Sequence, residues 1–333
     1  MRSEAAVGFG LLAILAILLV VTGIHLTQVQ DSFQASCKVA RDCATAPDPV
    51  LGTGAGLQAL VALIAMAAPA VLGIFLGAPL VARELEAGTF RLAWTQSVTR
   101  RRWLAAKLGV VGVATIALSA LLTWLVDWWQ GPLDAASQTR FDPVTFGFHG
   151  VVPIGYAVFA FALGVAAGVL LRRSVAAMAV TLVGFVVARV AVAEGLRPHL
   201  APPAHESLSF LASRPVLTLQ APADALSLSP PLVTVPNGWV YSTELVERSG
   251  RLPAGNFLLH SCPALGKNLR LGPPPATAVH ACLVKMSGSY HTLVTYQPAS
   301  RFWPFQWTEL GIFLAAAVAL CGLTYWWLQR RYS

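Results

Sequence analysis

The stretch that decides the fold is GLQALVALIAMAAPAVLGIFLGAPLV, which runs from Gly56 to Val81 without a charged residue. At 1.5 Å per residue, a helix of this length spans the ~30 Å hydrocarbon layer of a bilayer. Pro69 lies inside the stretch and predicts a kink, which a packed helical bundle tolerates. We therefore predict that this segment crosses a membrane as a helix.

Five further runs are as apolar and nearly as long. The chain of 333 residues is 56% hydrophobic and 11% charged, whereas soluble domains are about a quarter charged. The first run is too long for the apolar core of a secretory signal, so we expect it to be retained. The sequence thus predicts an all-α polytopic membrane protein with six transmembrane helices. The five runs are approximately Ala5–Leu26, Trp103–Trp128, Val151–Leu171, Ser174–Val192 and Leu310–Leu328.

The distribution of basic residues predicts the orientation. Both termini and the loops after the second and fourth helices hold 11 Lys and Arg, whereas the opposite short loops hold three. Because basic loops stay inside, we expect cytoplasmic termini. This places the positive charge at the inner membrane surface, so the expected partners include membrane lipids and exclude nucleic acid.

The long segment between helices five and six is predicted to be extracytoplasmic. Aromatic and β-branched runs within it, such as Trp239–Tyr241 and Tyr290–Tyr296, predict short strands, so we expect a loop domain of mixed α/β structure. The predicted domain division is 1–193 for helices one to five, including a cytoplasmic segment at 82–102, then 194–307 for the loop domain. Residues 308–333 form the sixth helix and a cytoplasmic tail.

The cysteines agree with this topology. Cys37 and Cys43 fall in the first outer loop, Cys262 and Cys282 fall in the long outer segment, and Cys321 lies inside the last helix. Thiols on the oxidising side of a membrane form disulfides. Four cysteines allow three pairings, of which we favour Cys37–Cys43 and Cys262–Cys282 because each closes a local loop. Four free thiols are the alternative.

Motifs for catalysis or metal binding are missing from the sequence. No phosphate-binding loop occurs, because Gly266-Lys267 is followed by Asn268 and has no partner glycine at the required offset. The chain is therefore predicted to hold no catalytic residue, no metal and no cofactor of its own.

Charged residues inside the spans are few. Arg189 lies about four turns into the fifth helix, where an ionisable group usually faces a cavity or a partner. Asp127 and Glu194 are candidate ion-pair partners for Arg189, and extension of the Arg189 side chain to the interface is the alternative. Glu309 is expected near water at a helix end. So few buried charges favour an apolar or amphipathic substrate if the chain is a transporter.

The segment 82–102 is predicted to contain a short amphipathic helix on the cytoplasmic face. Glu84 and Glu86 lie beside an anionic lipid surface, which is electrostatically unfavourable and indicates a specific partner for the carboxylates. Pairing with Arg83 or Arg91 is a second interpretation, and the two are compatible. A basic triplet then anchors the third helix among lipid phosphates; it consists of Arg100, Arg101 and Arg102.

The pattern Arg83-Glu84-x-Glu86-x-Gly88-Thr89, followed by Ser97-Val98-Thr99-Arg100 and by Leu104…Lys107, resembles the membrane subunits of ABC-2 type ABC transporters. The stretch Tyr296–Trp307 is similar to that of actinobacterial permeases. The layout of six spans, a segment between helices two and three and a large outer loop also resembles this family.

The resemblance implies a permease subunit that exports its substrate and works with a second permease subunit, as a homodimer or a heterodimer. ATP and Mg²⁺ would bind a separate cytoplasmic ATPase subunit. A membrane-anchored extracytoplasmic binding or signalling module without transport is the alternative. The residues that the resemblance assigns to coupling with the ATPase are Arg83, Glu84, Glu86, Gly88, Thr89 and Arg91.

Overall fold

The structure is a computed structural model, and it describes residues 2–39, 49–86, 100–211, 216–220, 225–229, 233–253, 257–266 and 275–331. The chain forms two compact units. One consists of Met1–Leu200 together with Phe302–Ser333, and the other consists of Ala201–Arg301.

The first unit holds the predicted helices. Six helices in the described part of the chain are long and apolar enough to cross a membrane, which confirms the predicted number. We call their apolar segments spans 1 to 6. These are Ala13–Lys38, Gly56–Glu84, Ala105–Ser137, Val152–Leu171, Ser174–His199 and Ala299–Trp327.

Several helices continue beyond the predicted runs because polar residues extend a helix once it leaves the hydrocarbon layer. The first and fourth have 38 residues each, or about 57 Å at 1.5 Å per residue. The helices of this unit are α1 (Arg2–Val39), α2 (Pro49–Leu72), α3 (Ala78–Glu86), α4 (Arg100–Ser137), α5 (Pro143–Phe146), α6 (Val152–Leu171), α7 (Ser174–Val190) and, after the second unit, α11 (Phe302–Arg331).

The helical unit has two ends, the terminal face and the loop face. The terminal face is the end where α1 begins and α11 ends. The loop face is the opposite end, where the short helix α5 lies between spans 3 and 4.

Span 2 changes its helical geometry in the middle. Pro69 lies inside α2, and a π-helical turn from Gly73 to Gly77 then joins α2 to α3. A Cβ atom on Gly73 would lie 2.7 Å from the backbone of Ala160, and one on Gly77 would lie 2.6 Å from the Phe161 carbonyl oxygen. Only glycine at these positions lets span 2 approach span 4 so closely.

Span 4 is the central helix of the unit. In the most apolar stretch of span 4, 72% of the residues are buried, whereas the corresponding share is 33% or less in each of the other five spans. Its own glycines face span 2: a Cβ atom on Gly164 would lie 2.6 Å from the Gly73 carbonyl oxygen, and one on Gly168 would lie 2.7 Å from that of Ala78. Small residues on both helices therefore allow this backbone-to-backbone packing.

The second unit is of mixed structure, as predicted. A three-stranded antiparallel sheet has the order β1-β5-β4, and β2 pairs with β3 in a separate hairpin. The predicted strands near Trp239 and Tyr290 are confirmed as β4 and β5. The strands are β1 (Ala204–Ser209), β2 (Val216–Gln220), β3 (Ala225–Ser229), β4 (Trp239–Glu247) and β5 (Tyr290–Gln297), and the helices are α8 (Phe257–Ser261), α9 (Pro263–Gly266) and α10 (Ala276–Ser287).

The bounds of the second unit, Ala201–Arg301, differ from the predicted 194–307. The chain stays helical after α7 through a π-helical turn, Ala191–Leu196, and a 3-10 turn, Arg197–His199. The last helix likewise begins at Phe302. The first extension contains Glu194, Arg197 and His199, and the second is rich in aromatic residues and contains Gln306, so hydropathy alone did not assign them to the helices.

Candidate functional site

Glu84, at the terminal-face end of span 2, forms an ion pair with Lys107 at the start of span 3. The Lys107 ammonium also donates a hydrogen bond of 3.5 Å to the carbonyl oxygen of Leu80, one turn before Glu84. The side chains of Glu84 and Lys107 are 29% and 23% exposed, so the pair is partly shielded from water. It fixes the end of span 2 to span 3.

Glu86, the last residue of α3, binds the N-terminus of α7. Its Oε2 accepts hydrogen bonds from the backbone nitrogen of Ser174, at 3.2 Å, and from the Ser174 hydroxyl, at 2.9 Å. These two bonds, the backbone one first, hold the pKa of the Glu86 carboxyl below its usual value, and the charges of Arg173 and Arg83 act in the same direction. A carboxylate suits this position because the first N–H groups of a helix lack intrahelical partners.

The two carboxylates thus have partners within the chain that are distant in sequence, while the charge of the local Arg83 also acts on Glu86; Arg91, the other local arginine considered, lies outside the described residues. Lys107 follows Glu84 by 23 residues and Ser174 follows Glu86 by 88. The end of span 2 is consequently tied to span 3 and to span 5 at the terminal face.

The other residues of the predicted coupling segment are less fully described. Arg83 is half-buried at the end of span 2, and Arg102 is exposed near the start of α4. Arg100 and Arg101 begin α4, but their side chains lie outside the described part of the structure. The described residues also exclude Gly88, Thr89 and Arg91. The coupling and anchoring roles of all these residues stay predictions.

Arg189 in span 5 contacts carbonyl oxygens and an aromatic ring. Its Nη1 donates to the carbonyl oxygen of Met66 in span 2 at 2.9 Å, and its Nη2 donates to that of Gly147 at 3.4 Å. The guanidinium carbon lies 4.9 Å from the centre of the Tyr156 ring. Arg189 therefore bridges spans 2, 4 and 5, and it does not form the ion pair with Asp127 that the sequence suggested.

Asp127 in span 3 has other partners. Its Oδ1 lies 2.9 Å from His149 Nδ1, and it accepts a hydrogen bond of 3.2 Å from the backbone nitrogen of Gly150. The ion pair is absent because the two side chains meet different polar groups of the turn before span 4. A cavity role for Arg189 stays a prediction.

A buried polar network joins spans 4, 5 and 6 at the loop face. Arg197 donates from Nε to Glu309 Oε2 and from Nη2 to Glu309 Oε1, each at 2.9 Å. The Tyr156 hydroxyl donates to the same Oε1 at 2.5 Å. Glu309 is 0% and Arg197 2% exposed, so the expectation that Glu309 lies near water is wrong. Arg197 also donates to the Pro143 carbonyl oxygen, at 3.2 Å.

Gln306 in span 6 extends this network by capping span 4. Its Oε1 accepts hydrogen bonds from the backbone nitrogens of Val151 and Val152, at 3.1 and 3.0 Å, and its Nε2 donates to the Phe146 carbonyl oxygen at 3.1 Å. Neither Gln306 nor Arg197 was predicted as a site residue, because both lie outside the apolar runs that predicted the spans.

The predicted disulfides are supported where the structure describes them. Cys262 and Cys282 form a disulfide, which confirms that pairing. Cys37 is also disulfide-bonded, and its predicted partner Cys43 lies outside the described residues. Cys321 is a free, half-buried thiol in span 6. Among the described residues, no group of three or more His, Cys, Asp or Glu could hold a metal ion.

Comparison with known proteins gives one finding. A family model described as ABC-2 membrane transporter related matches residues 9–197, which is more than half of the chain. No curated protein and no solved structure matches it.

Proposed function

Because the chain belongs to the ABC-2 membrane transporter related family and is a multi-pass membrane subunit of a transporter, we propose that it is the permease of an ABC-2 type transporter driven by a separate ATPase. The ATPase would bind ATP and Mg²⁺ and dock on the segment that begins at Arg83. A second permease subunit, identical or related, would complete the assembly. The substrate would be exported and apolar or amphipathic.

The observation that supports this proposal is that polar contacts attach the end of span 2 to spans 3 and 5. Glu84 pairs with Lys107, and Glu86 caps span 5 through Ser174. A force applied to the residues that follow Glu86 would therefore reach spans 2, 3 and 5 together. Span 2 also packs backbone to backbone on the central span 4, so displacement of span 2 would be transmitted into the core of the bundle.

The proposed orientation places the terminal face in the cytoplasm. The excess of Lys and Arg at this face follows the rule that basic short loops stay inside. The same orientation puts the second unit and its disulfide on the oxidising side.

Affinity purification of the full chain in mild detergent tests the partner. We expect an ATPase with a phosphate-binding loop to copurify, and the amount to fall when Glu84→Lys and Glu86→Lys are combined, because both fastenings of the docking segment are then broken. Glu244→Lys, at an exposed position of β4, is the matched charge-reversal control and should leave the yield unchanged.

Purification that never recovers such an ATPase, while the permease stays monodisperse, would contradict the proposal. Together with normal function after deletion of residues 87–99, that result would favour the binding or signalling module formed by the second unit.

A further inference from the structure

A cluster of polar side chains lies at the loop-face end of span 3 and includes the contact of Asp127 with His149 described above. Asp127, Gln130 and Asp134 follow each other at intervals of three and four residues, so they lie on one face of α4. His149 contacts both ends of this row, because its Nδ1 lies 2.9 Å from Asp127 Oδ1 and 3.9 Å from Asp134 Oδ2. Gln130 therefore lies between the two carboxylates.

Several atoms of this cluster are buried without a hydrogen-bond partner among the described residues. They are both amide atoms of Gln130, Nε2 of His149, Oδ1 of Asp134 and Nε of Arg140. Gln130 is 0% and His149 1% exposed. Buried polar atoms are nearly always hydrogen-bonded, so this group of five atoms indicates a ligand.

The hydrogen-bonding types of these atoms define the ligand. Since the Asp127 carboxylate only accepts, His149 Nδ1 carries a proton towards it. Asp134 Oδ1 and Gln130 Oε1 are acceptors, whereas Gln130 Nε2 and Arg140 Nε are donors. Arg140 is a cation whose charge acts on Asp134, and its guanidinium lies 4.6 Å from the centre of the Phe302 ring. Counted without His149, two carboxylates and one guanidinium carry a net charge of −1, which suits a small cation whose N–H groups donate to the acceptors.

An apolar cavity continues along the same face of span 3. It has a volume of about 20 Å³, and its lining includes Ser119, Thr123 and Val126 on span 3 and Phe148 beside His149. Thr123 and Val126 precede Asp127 and Gln130 by one helical turn, so cavity and cluster are adjacent. The cavity holds about one water molecule, so binding of an alkyl chain there would require its lining from spans 1 and 2 to move.

We propose that this cluster and cavity bind an amphipathic molecule through its alkylammonium group. The inference rests on the proposed transport function and deepens it, because it assigns a cationic head group to the substrate. The alkylammonium could belong to a free amphiphile or to the ethanolamine head group of a lipid, and the test separates these sources.

Binding of hexylammonium and hexyltrimethylammonium to the purified full chain in detergent tests the chemistry. The two cations share charge and chain, but the second has no N–H donor. We expect hexylammonium to bind at least about tenfold tighter, since charge-assisted hydrogen bonds are the strong ones. Asp134→Asn and Gln130→Leu should each remove most of this preference. Glu194→Gln, an exposed carboxylate of the same unit, should keep it.

Equal binding of the two cations by the unaltered chain would overturn the proposal, and that comparison holds even if a variant fails to fold. A preference that survives in a folded Gln130→Leu variant would also overturn it.

Native mass spectrometry of the chain in nanodiscs separates the sources. Retention of phosphatidylethanolamine over phosphatidylcholine, lost in Gln130→Leu, assigns the site to a lipid head group. Equal retention of both lipids, with the hexylammonium preference intact, assigns it to a free amphiphile. Because no ATPase takes part, failure of this test is distinguishable from failure of the proposed coupling.

Discussion

Loss of Glu309 should destabilise the helical unit more than loss of an ordinary surface carboxylate. In the variant Glu309→Leu, the Arg197 guanidinium stays buried and keeps only the Pro143 carbonyl oxygen, the Tyr156 hydroxyl and the Phe146 ring, 4.5 Å away. Removing one partner of a buried ion pair costs about 3–5 kcal/mol, because a charge is left uncompensated in a medium of low polarity.

The double variant should recover much of this loss. Arg197→Met alone leaves the Glu309 carboxylate buried without its cation and should lower the free energy of unfolding as much as Glu309→Leu. When both are replaced, no buried charge remains, and such replacements are often close to neutral. The Tyr156 hydroxyl still loses its acceptor, which costs about 1 kcal/mol. We therefore expect a coupling energy of at least about 3 kcal/mol between the two positions.

Unfolding in mixed micelles, followed by tryptophan fluorescence, measures the free energy of unfolding for the double-mutant cycle. The control is Glu206→Gln, which weakens an exposed hydrogen bond of 3.1 Å from the Tyr296 hydroxyl and should change stability by about 0.5 kcal/mol or less. The importance of the network would be refuted if the losses of the two single variants simply added in the double variant. It would also be refuted if each single variant, like the control, lost less than about 1 kcal/mol.

Three further predictions follow from other contacts. Gly77→Ala should cost about 1–3 kcal/mol in the same unfolding assay because its Cβ meets backbone, whereas Gly311→Ala, with open space around it, should not; equal effects would contradict the close packing of spans 2 and 4. Cys282→Ser removes a disulfide with a sequence separation of 20 and should lower the stability of the second unit by about 3 kcal/mol. Limited proteolysis of that unit should then be faster, and an unchanged rate would contradict a stabilising role of the disulfide. The lowered pKa of Glu86 means that its contact with Ser174 contributes stability above the usual carboxyl pKa and is lost as the pH falls through the folded value. Protection factors of the amides at the start of α7, which are exchange rates corrected for the intrinsic effect of pH, should therefore fall with acid in the unaltered chain and be independent of pH in Glu86→Gln.

The spans and the mixed second unit were predictable because they depend on properties that lie along the chain. Apolar runs such as Gly56–Val81 identify membrane helices by length alone. Alternating aromatic and β-branched residues identify strands such as β5 in the same way. The disulfide between Cys262 and Cys282 followed from compartment and loop length.

The polar contacts were not predictable because their partners are distant in sequence. Glu309 and Arg197 are 112 residues apart, and nothing local marks either as buried. Helix ends were underestimated for a related reason: Arg197 and Gln306 lie where hydropathy falls although the helix continues. The partners of Glu84 and Glu86 likewise became visible only when spans 3 and 5 were placed beside span 2.

In the proposed function, movement of the segment that follows Glu86 reaches the bundle through the ion pair of Glu84 and Lys107. The most direct test is ATP turnover by the permease reconstituted with its ATPase, compared among the unaltered chain, Glu84→Lys, Lys107→Glu and the double exchange. Each single variant juxtaposes like charges and should lower permease-stimulated turnover, whereas the double exchange restores opposite charges and should recover it. A double variant as poor as the single ones, or single variants with full turnover, would show that this ion pair does not transmit the movement.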